Sequence, residues 1–319
     1  MSTRYDSLIA DQRQDGDTRH LDATETAFFK RQLEYVKTKT YDIKYRNLKA
    51  MQLIPVSTEA PAGADYIIWY SYGKAGMAKI VSDYAHDFPR VDVYATENQS
   101  KIYSLGDAYG YSIKEVRRAA MAGNSLDTRR ANTARRAMDE LFDKLAWFGD
   151  TDFNIQGFFD YPGITEYTVP NGAAGTPQWT TKTPDEINDD LVGLCDAVSV
   201  PTNGREQVDT ILLPRARFNL LKNTRMGGAS DTTIFKYFTD NNPSITIEVL
   251  DELVDQGVGS TQRMIGYVKD SEHLTQEIPQ PFEQFEPDKK GMTWEIPCHA
   301  EFGGVIVYYP QSVAFGDDI

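Results

Sequence analysis

The sequence has few of the residues that most often build reactive or metal-binding centres. Its 319 residues include two cysteines, Cys195 and Cys298, which lie too far apart for a metal-ligand pair and form no disulfide framework. We expect both to be small, buried side chains in a reducing cytosol. None of the four histidines lies two to five residues from another histidine or from a cysteine, so no local metal site or catalytic dyad is indicated. The histidines are His20, His86, His273 and His299.

Glycine-rich phosphate loops and the nucleophile elbow of hydrolases are also missing. Gly227-Gly228 and Gly303-Gly304 have neither the lysine nor the spacing of a phosphate-binding loop. Adjacent carboxylates such as Asp189-Asp190 are most simply solvated surface residues. The sequence therefore predicts no catalytic residue, no cofactor and no metal ion.

Long apolar segments are absent as well. No apolar run approaches the roughly 18 residues that a membrane span needs. The N-terminal stretch MSTRYDSLIADQRQDGD has no hydrophobic signal core, so we expect the protein to stay in the compartment where it is made, without a membrane partner. With 40% hydrophobic and 25% charged residues, the chain is nevertheless typical of a globular protein with a substantial core.

The charge is acidic overall but unevenly distributed. A formal net charge of -14 argues against an ordinary nucleic-acid reader, which would carry a basic face. Between Ile113 and Arg136, however, seven basic and two acidic residues give +5, so the rest of the chain carries -19. Four of the basic residues are Arg129, Arg130, Arg135 and Arg136.

These arginines stand near the start of a predicted helix, where the helix macrodipole favours anions. Helix stability therefore does not explain them, and partners outside the helix are one interpretation. The alternative is that Arg135 with Asp139, or Arg136 with Glu140, forms a weak ion pair one turn apart while the rest are solvated.

The segment Ser112–Asp150 contains the longest helix-compatible pattern in the chain. Its apolar positions recur every three or four residues and would share one helix face. They are Ala131, Ala134, Met138, Leu141, Leu145 and Phe148. Ser125 and Asp127 are suitable N-caps, and Gly149 is a suitable C-terminal stop. We predict a helix from Leu126 to Phe148, about 34 Å long, against which the other elements pack.

The chain before this helix has little core of its own. Residues 1–22 are polar and 23–38 have the spacing of one amphipathic helix, so this lead-in is expected to pack on the rest of the chain or on a neighbouring copy. We predict that Ala64–Tyr72 forms a strand and that Met77–Tyr84 can form a second strand that pairs with it in a long hairpin. Val91–Ala95 and Lys101–Leu105 predict two more short strands, split by the polar turn ENQS.

Aromatic side chains cluster on the predicted hairpin. Either they are ordinary sheet packing or they form a set of interface anchors. They are Tyr66, Trp69, Tyr70, Tyr72 and Tyr84.

The second half of the chain alternates helix and strand, which predicts an α/β subdomain with its own sheet. One predicted helix begins at Thr183-Pro184, and two more cover Ala216–Lys222 and Thr232–Asn241. The predicted strands are Val208–Leu213, Ile245–Leu250 and Arg263–Val268. After His273 the pattern becomes strand-like again, in Leu274–Phe285, Gly291–Pro297 and the apolar Glu301–Tyr309, which Pro310 ends.

Several segments, in this order, resemble the major capsid proteins of tailed bacteriophages with the Hong Kong 97-like fold. The most specific is DYAHDFPRVDV followed by GDAYGYSIKEVRRAAMAGNSLDTRRANTARRA and AWFGD. IQGFFD resembles the Gly-Leu-Leu-Asn element of that family with its last three residues replaced, VDTILLPRARFNLL resembles a strand and helix of its A-domain, and EFGGVIVYYPQSVAF resembles its last strand. The resemblance implies an α+β fold with an N-arm, an E-loop hairpin, a P-domain with a long spine helix, and an α/β A-domain.

The resemblance also implies where these parts lie and what they do. The expected ranges are 1–62 for the N-arm, 63–90 for the E-loop, 91–160 for the P-domain with its spine helix, 161–270 for the A-domain, 271–302 for returning P-domain strands and 303–319 for the last A-domain strand. In such proteins the arm and E-loop reach over adjacent subunits, which suggests inter-subunit contacts by Trp69, Tyr70, Tyr72, Lys74 and Lys79. Spine helices lie toward the inside of the shell, so Arg129, Arg130, Arg135 and Arg136 would face packaged DNA or a neighbouring subunit.

The implied function is a structural head protein that self-assembles into hexamers and pentamers of an icosahedral shell around double-stranded DNA. Its implied partners are identical subunits, a portal, optional cement proteins and non-specifically bound DNA, and its location is the virion, assembled in the host cytoplasm. Because the arm starts almost at Met1, a separate scaffold protein is favoured over a cleaved scaffolding segment. No asparagine partner for Lys74 or Lys79 is evident, so covalent cross-linking of subunits is disfavoured.

Two other functions remain open at this point. One is an encapsulin-like nanocompartment shell, which has the same fold. The other, from a different class, is a soluble enzyme with a site built from scattered carboxylates.

Overall fold

The computed structural model describes residues 46–78, 90–122, 129–227 and 231–319, and residues 48–319 form one compact unit. Several features predicted from sequence lie outside the described residues. These are the arm up to residue 45, with its predicted helix at 23–38 and His20; Lys79, Tyr84 and His86; and the proposed caps Ser125 and Asp127.

Helices and strands alternate irregularly along the described chain. The helices are α1 (Ala50–Leu53), α2 (Ile113–Ala122), α3 (Arg129–Phe148), α4 (Pro184–Ser199), α5 (Arg215–Asn223) and α6 (Ile234–Asn241). The strands are β1 (Val56–Ser57), β2 (Tyr66–Ala75), β3 (Asp92–Lys101), β4 (Tyr103–Ser112), β5 (Thr165–Tyr167), β6 (Thr210–Leu213), β7 (Thr246–Val249), β8 (Arg263–Tyr267), β9 (Leu274–Glu277), β10 (Glu283–Gln284), β11 (Asp288–Lys290), β12 (Thr293–Phe302), β13 (Val305–Val307) and β14 (Val313–Asp317).

Helix α3 is the long helix predicted from the apolar pattern, and it ends at Phe148 as expected. Gly149 follows it with a left-handed φ of 65°, the conformation that favours glycine after a helix. The set of residues predicted to form the apolar face of the helix is only partly correct, because Leu141 and Phe148 are exposed while Phe142 is buried. In the last turn Leu145, Ala146 and Trp147 are all buried, since the chain that follows covers this end of the helix on more than one side.

That covering chain is the segment Ile155–Phe159. The Phe158 N–H donates to Ala146 O (2.9 Å) and the Phe159 N–H to Trp147 O (3.1 Å), which satisfies carbonyls that the helix end leaves open. A Cβ on Gly157 would lie 2.4 Å from the Gly149 nitrogen, so the two backbones approach at a distance that only glycine permits.

The aromatic rings of this segment connect the helix to the rest of the molecule. Phe159 stacks on Trp147 with ring centroids 5.3 Å apart. Phe158 lies edge-on to Tyr267 of β8 (5.7 Å) and to Phe315 of β14 (6.2 Å). The same core includes Phe142 and Phe302, so it joins α3 to three different sheets.

Strand β12 pairs with each of the other three strands of a four-stranded sheet. It pairs antiparallel with β4 over ten residues, from Thr293 opposite Ser112 to Phe302 opposite Tyr103. Its other edge pairs with β10 and β11. The predicted strand ending at Pro297 was too short, since β12 passes through this proline, whose carbonyl accepts from the Phe285 N–H (2.9 Å).

The α/β block was predicted well. Strands β5, β14, β8, β6 and β7, in that order, form a five-stranded sheet, with a separate core that includes Ile187, Leu191, Leu194 and Val198 of α4. Thr183 caps α4 in a reciprocal capping box with Glu186, as a Thr-Pro-Asp-Glu sequence favours.

The C-terminal strand prediction was wrong in one respect. Glu301–Tyr309 is not one strand, because Gly303 and Gly304, the latter with φ 86°, separate β12 from β13. β13 pairs with β9 in a three-stranded sheet that also contains β1, whereas the last strand of the five-stranded sheet is β14, beyond Pro310.

Helix α1 attaches the end of the lead-in to α3. Asp143, 2% exposed on α3, accepts from the backbone N–H groups of Lys49 (3.0 Å) and Ala50 (2.9 Å). Tyr267 Oη donates to Leu53 O (2.7 Å) at the other end of α1. The helix has only four residues and ends before Pro55, which disfavours helical backbone at the residue that precedes it.

We predict that Gly157→Ala lowers the free energy of unfolding by about 3 kcal/mol or more, since the added Cβ meets backbone atoms that cannot give way. Chemical denaturation of the unassembled chain measures this. Gly106→Ala is the matched control, because its Cβ would meet one atom at 3.9 Å and its φ is ordinary. Equal losses in both variants would contradict the close-approach argument.

Candidate assembly surfaces

Strands β2 and β3 form a two-stranded hairpin, with Tyr66 opposite Lys101 and Ala75 opposite Asp92. The described partner of β2 is therefore β3; of the predicted return strand Met77–Tyr84, Met77 and Ala78 lie beyond β2, and the remainder lies outside the described residues. The predicted turn ENQS is also wrong, because Glu97–Ser100 lies within β3. Polar residues suit a strand here because the hairpin is mostly solvent-exposed.

Because side chains alternate along a strand, the hairpin has two faces. The first, which we call the outward face, carries Tyr66, Ile68, Tyr70 and Tyr72 of β2, whose exposed fractions are 52%, 50%, 54% and 67%. Their cross-strand partners are Lys101, Gln99, Glu97 and Ala95. The outward face therefore has an apolar, mainly aromatic row beside a largely polar row.

The second, or inward, face contacts the body near the root of the hairpin. Trp69 lies edge-on to Tyr308, with ring centroids 6.0 Å apart. Ser100 Oγ donates to Gly303 O (2.7 Å). The Ile67 side chain packs so closely on Gly303 that a Cβ there would lie 2.9 Å from Ile67 Cδ1.

The side chains predicted to anchor the hairpin on a neighbouring subunit differ in their exposure. Tyr70, Tyr72 and Lys74 are exposed, Trp69 is partly buried against its own chain, and Lys79 lies outside the described residues. Sequence reasoning placed Tyr66 in one aromatic cluster with Tyr70 and Tyr72 but missed Ile68, which belongs to the same row. The signal was present as a period-two spacing in ADYIIWYSY.

The four predicted arginines do not form one stripe. At about 100° per residue, Arg129 and Arg136 lie opposite the buried face of α3, whereas Arg130 and Arg135 lie on its two flanks. Arg129 and Arg135 are exposed. Arg136 Nε pairs with Glu140 Oε1 (2.8 Å), which confirms one of the two ion pairs that the sequence suggested.

Arg130 instead joins three elements of its own chain. It pairs with Glu115 of α2 (2.9 Å), donates to Gly110 O of β4, and lies over the Tyr111 ring, 4.9 Å from its centroid. Glu115 also accepts from the Ser112 N–H (2.9 Å) at the start of α2. The Arg130 hydrogen bond, with the Ser112 backbone bond second, lowers the pKa of Glu115 to about 2.

The ionisable groups that could suggest chemistry have structural partners. Asp190, expected from sequence to be solvated, is instead 2% exposed and accepts from Lys182 Nζ (2.5 Å) and from Trp179 Nε1 (2.8 Å), which holds the loop before α4 against that helix. His273 pairs with Glu206 (2.7 Å). Both cysteines are free, and burial raises the pKa of the Cys195 thiol to about 12, so this thiol remains protonated.

Three cavities among the described residues are small. The one that includes Lys182 and Asp190 has a volume of about 180 Å³, and the other two have about 240 and 260 Å³, below the several hundred typical of ligand pockets. No group of three or more His, Cys, Asp or Glu side chains in the described part could hold a metal ion. Nor is any described helix both long and apolar enough to span a membrane.

Solved structures with the same fold include phage capsids and a virus-like particle. The capsid of Myoviridae phage XM1 matches with a TM-score of 0.75 at 17% identity, covering 91% of this chain and 98% of that one. The capsid of a native GTA particle matches at 0.62 and 10% identity, covering 93% and 99%. A virus-like particle from Pyrococcus furiosus matches at 0.50 and 14% identity, covering 84% and 91%. The fold is the Hong Kong 97-like capsid fold, a class of shell-forming proteins.

A sequence model of the family described as major capsid protein matches residues 76–319, more than half of the chain. The chain belongs to the major capsid protein family, and its role is that of a structural subunit of a capsid shell. This confirms the resemblance seen in the sequence, and it leaves the encapsulin-like alternative the weaker one. No curated protein matches the sequence.

The Glu115–Arg130 pair should make stability depend on pH. Because the folded-state pKa of Glu115 is lowered from 4.5 to about 2, its contribution is fully present above pH 4.5 and disappears as the pH falls toward 2. We expect Glu115→Gln to be less stable than the wild type near pH 6 and to converge with it near pH 2, as measured by denaturation at each pH.

Arg130→Gln should remove the larger part of the same pH dependence and leave the part due to the Ser112 N–H, and the double variant should lose less than the sum of the two single variants. Additive losses, or a gap between wild type and Glu115→Gln that widens toward pH 2, would contradict the pairing.

Proposed function

We propose that the protein is the subunit of pentamers and hexamers that close an icosahedral phage head around double-stranded DNA. The observation that carries this proposal is the combination of a well-packed body with a hairpin whose outward face keeps a row of large side chains 50–67% exposed. A two-stranded ribbon is marginal on its own in water, so such a projection is expected to gain its stability from another copy.

The parts of the fold follow from the same proposal. The hairpin is the E-loop, with its strands reaching to Lys101 rather than stopping at residue 90. The four-stranded sheet and α3 form the P-domain with its spine helix, and the five-stranded sheet with β14 forms the A-domain. Residues 1–62 are the N-arm, of which α1 and β1 are the end anchored to the body.

The outward face is proposed to dock on a neighbouring copy of this chain. Tyrosine offers a large contact area with a polar tip, which suits a surface that is solvated before assembly and buried after it. The adjacent polar row, including Glu97 and Lys101, would require a partner of matching charge and would so fix the register of docking. Lys74, at the far end of the same face, lies in position for such a contact.

Helix α3 is proposed to present Arg129, Arg135 and Arg136 to packaged DNA through non-specific phosphate contacts. The positions of Arg129 and Arg136 opposite the buried face and the exposure of Arg135 on its flank support this, and the acidity of the remaining chain would keep the lumen from binding DNA too tightly. Arg130 is left out of this group because its guanidinium fastens α2 and β4.

The remaining partners follow from the proposed role. A scaffold protein, a portal and optional cement proteins would act with this subunit, which would assemble in the host cytoplasm and reside in the virion. The chain itself would carry no catalytic centre, which fits the structural use of Lys182, Asp190 and His273.

Replacing Tyr70 and Tyr72 together by alanine should lower the yield of closed particles at least about tenfold, because the contact repeats at every subunit junction. Electron microscopy and sedimentation of the expressed protein measure the yield. The control is Tyr94→Ala on the opposite face of the same hairpin, 62% exposed. Normal particle yield from the double variant would overturn the docking proposal.

Charge reversal at Arg129 and Arg135 should reduce the DNA content of particles while leaving their diameter unchanged, because these side chains lie off the buried face of α3. Nucleic acid per particle, measured by absorbance ratio on purified heads, provides the test. Arg130→Glu is the comparison and should instead reduce soluble yield, since it places two carboxylates together at Glu115. Unchanged DNA content in the Arg129/Arg135 variant would refute the assignment.

A further inference from the structure

The hairpin is attached to its body over a very short length. Residues 70–78 and 90–97 are all exposed, whereas the partly buried residues nearer the root are Ile67, Trp69, Asn98 and Ser100, all on the inward face. Trp69 is the outermost of them on β2 that contacts the body. The direction in which the hairpin projects is therefore determined by a few contacts at its root.

We propose that Trp69 is a positioning residue, which sets the direction of the hairpin by packing against Tyr308, and is not itself an anchor on a neighbouring subunit. This inference rests on the proposed docking of the outward face, since direction matters only if that face must meet another copy. It separates Trp69 from Tyr70 and Tyr72, with which the sequence had grouped it.

Hydrogen bonds hold the Tyr308 side chain in place for this contact. Its hydroxyl lies 3.2 Å from Thr275 Oγ1 and donates to Glu277 Oε1 (3.4 Å), while Thr275 donates to the same carboxylate (2.6 Å). Glu277 is 3% exposed in β9, the middle strand of its sheet. Burial raises the pKa of Tyr308, so its hydroxyl keeps the proton that it donates.

The second part of the attachment is the Gly303-Gly304 turn between β12 and β13. Ile67 packs where a side chain on Gly303 would be, and Ser100 Oγ bonds the Gly303 carbonyl (2.7 Å). Ile67 and Ser100 form a cross-strand pair, and Trp69 stands further out on the same face. The turn thus acts as the pivot, and the Trp69–Tyr308 contact prevents rotation about it.

The length of the hairpin makes this contact important, because a small rotation at the root displaces the far end by several ångströms. Strand β2 has ten residues and so extends about 33 Å, while Trp69 stands only about 10 Å from its start. A rotation of about 10° at the root would displace the far end by about 6 Å over that length, more than the distance between neighbouring strands. Loss of the root contact would therefore misplace the outward face even though every residue of that face is intact.

The test compares Trp69→Ala with Tyr72→Ala and with Trp69→Phe in the full-length chain. In unassembled protein, Trp69→Ala should speed hydrogen exchange of the β2 and β3 amides roughly tenfold, the effect expected from losing one aromatic pair, with exchange in β4 and β12 unchanged. Its particles should be irregular or of mixed diameter. Trp69→Phe retains a ring against Tyr308 and should restore both slow exchange and uniform particles.

Tyr72→Ala should give the opposite pattern, with wild-type exchange in unassembled protein and fewer particles of normal diameter. If Trp69→Ala shows wild-type exchange before assembly and only a lower yield of normal particles, Trp69 is an interface anchor and the positioning proposal is wrong. If Tyr72→Ala assembles normally while Trp69→Ala still speeds exchange, the docking proposal fails and the root contact stands.

Discussion

The close approach of Gly149 and Gly157 is the constraint on which the described body depends. It lets the chain turn at the end of α3 and return directly over the last helical turn, where Phe158 and Phe159 fill the space beside Trp147. A side chain at either glycine would separate the backbones and withdraw both phenylalanines. Since Phe158 also contacts β8 and β14, this one turn couples the long helix to the five-stranded sheet.

The body and the hairpin are stabilised in different ways. In the body, even the buried carboxylates have defined roles: Asp143 caps α1, and Asp190 holds the loop before α4. In the hairpin, backbone pairing is complete along β2 and β3, but apolar side chains on the outward face remain in water. The folded chain thus exposes a continuous apolar row on a part that projects, which is the expected arrangement for a self-assembling subunit.

Sequence patterns predicted the elements whose side chains face one core. Helix α4, strand β6 and the end of α3 follow from apolar spacing and capping residues alone. The sequence patterns gave wrong predictions where pairing with a distant part of the chain decides the local structure or the partner of a side chain. Glu97–Ser100 looks like a turn but is held as strand by β2, and Arg130 looks like part of a basic surface stripe until α2 folds back to place Glu115 beside it. Neither partner is adjacent in sequence, so local propensity could not reveal them.

An exposed aromatic row would ordinarily invite indiscriminate association, and the register of the hairpin limits this. Tyr66 lies opposite Lys101 and Tyr70 opposite Glu97, so each of these two tyrosines stands beside a charged residue. A purely apolar surface that covered both rows would bury the charges of Lys101 and Glu97 without partners, and this desolvation would offset the gain from the aromatic contacts. Stable docking therefore requires a surface that offers an apolar row and opposite charges at the same spacing, and a hairpin held at a fixed angle presents both rows to it together.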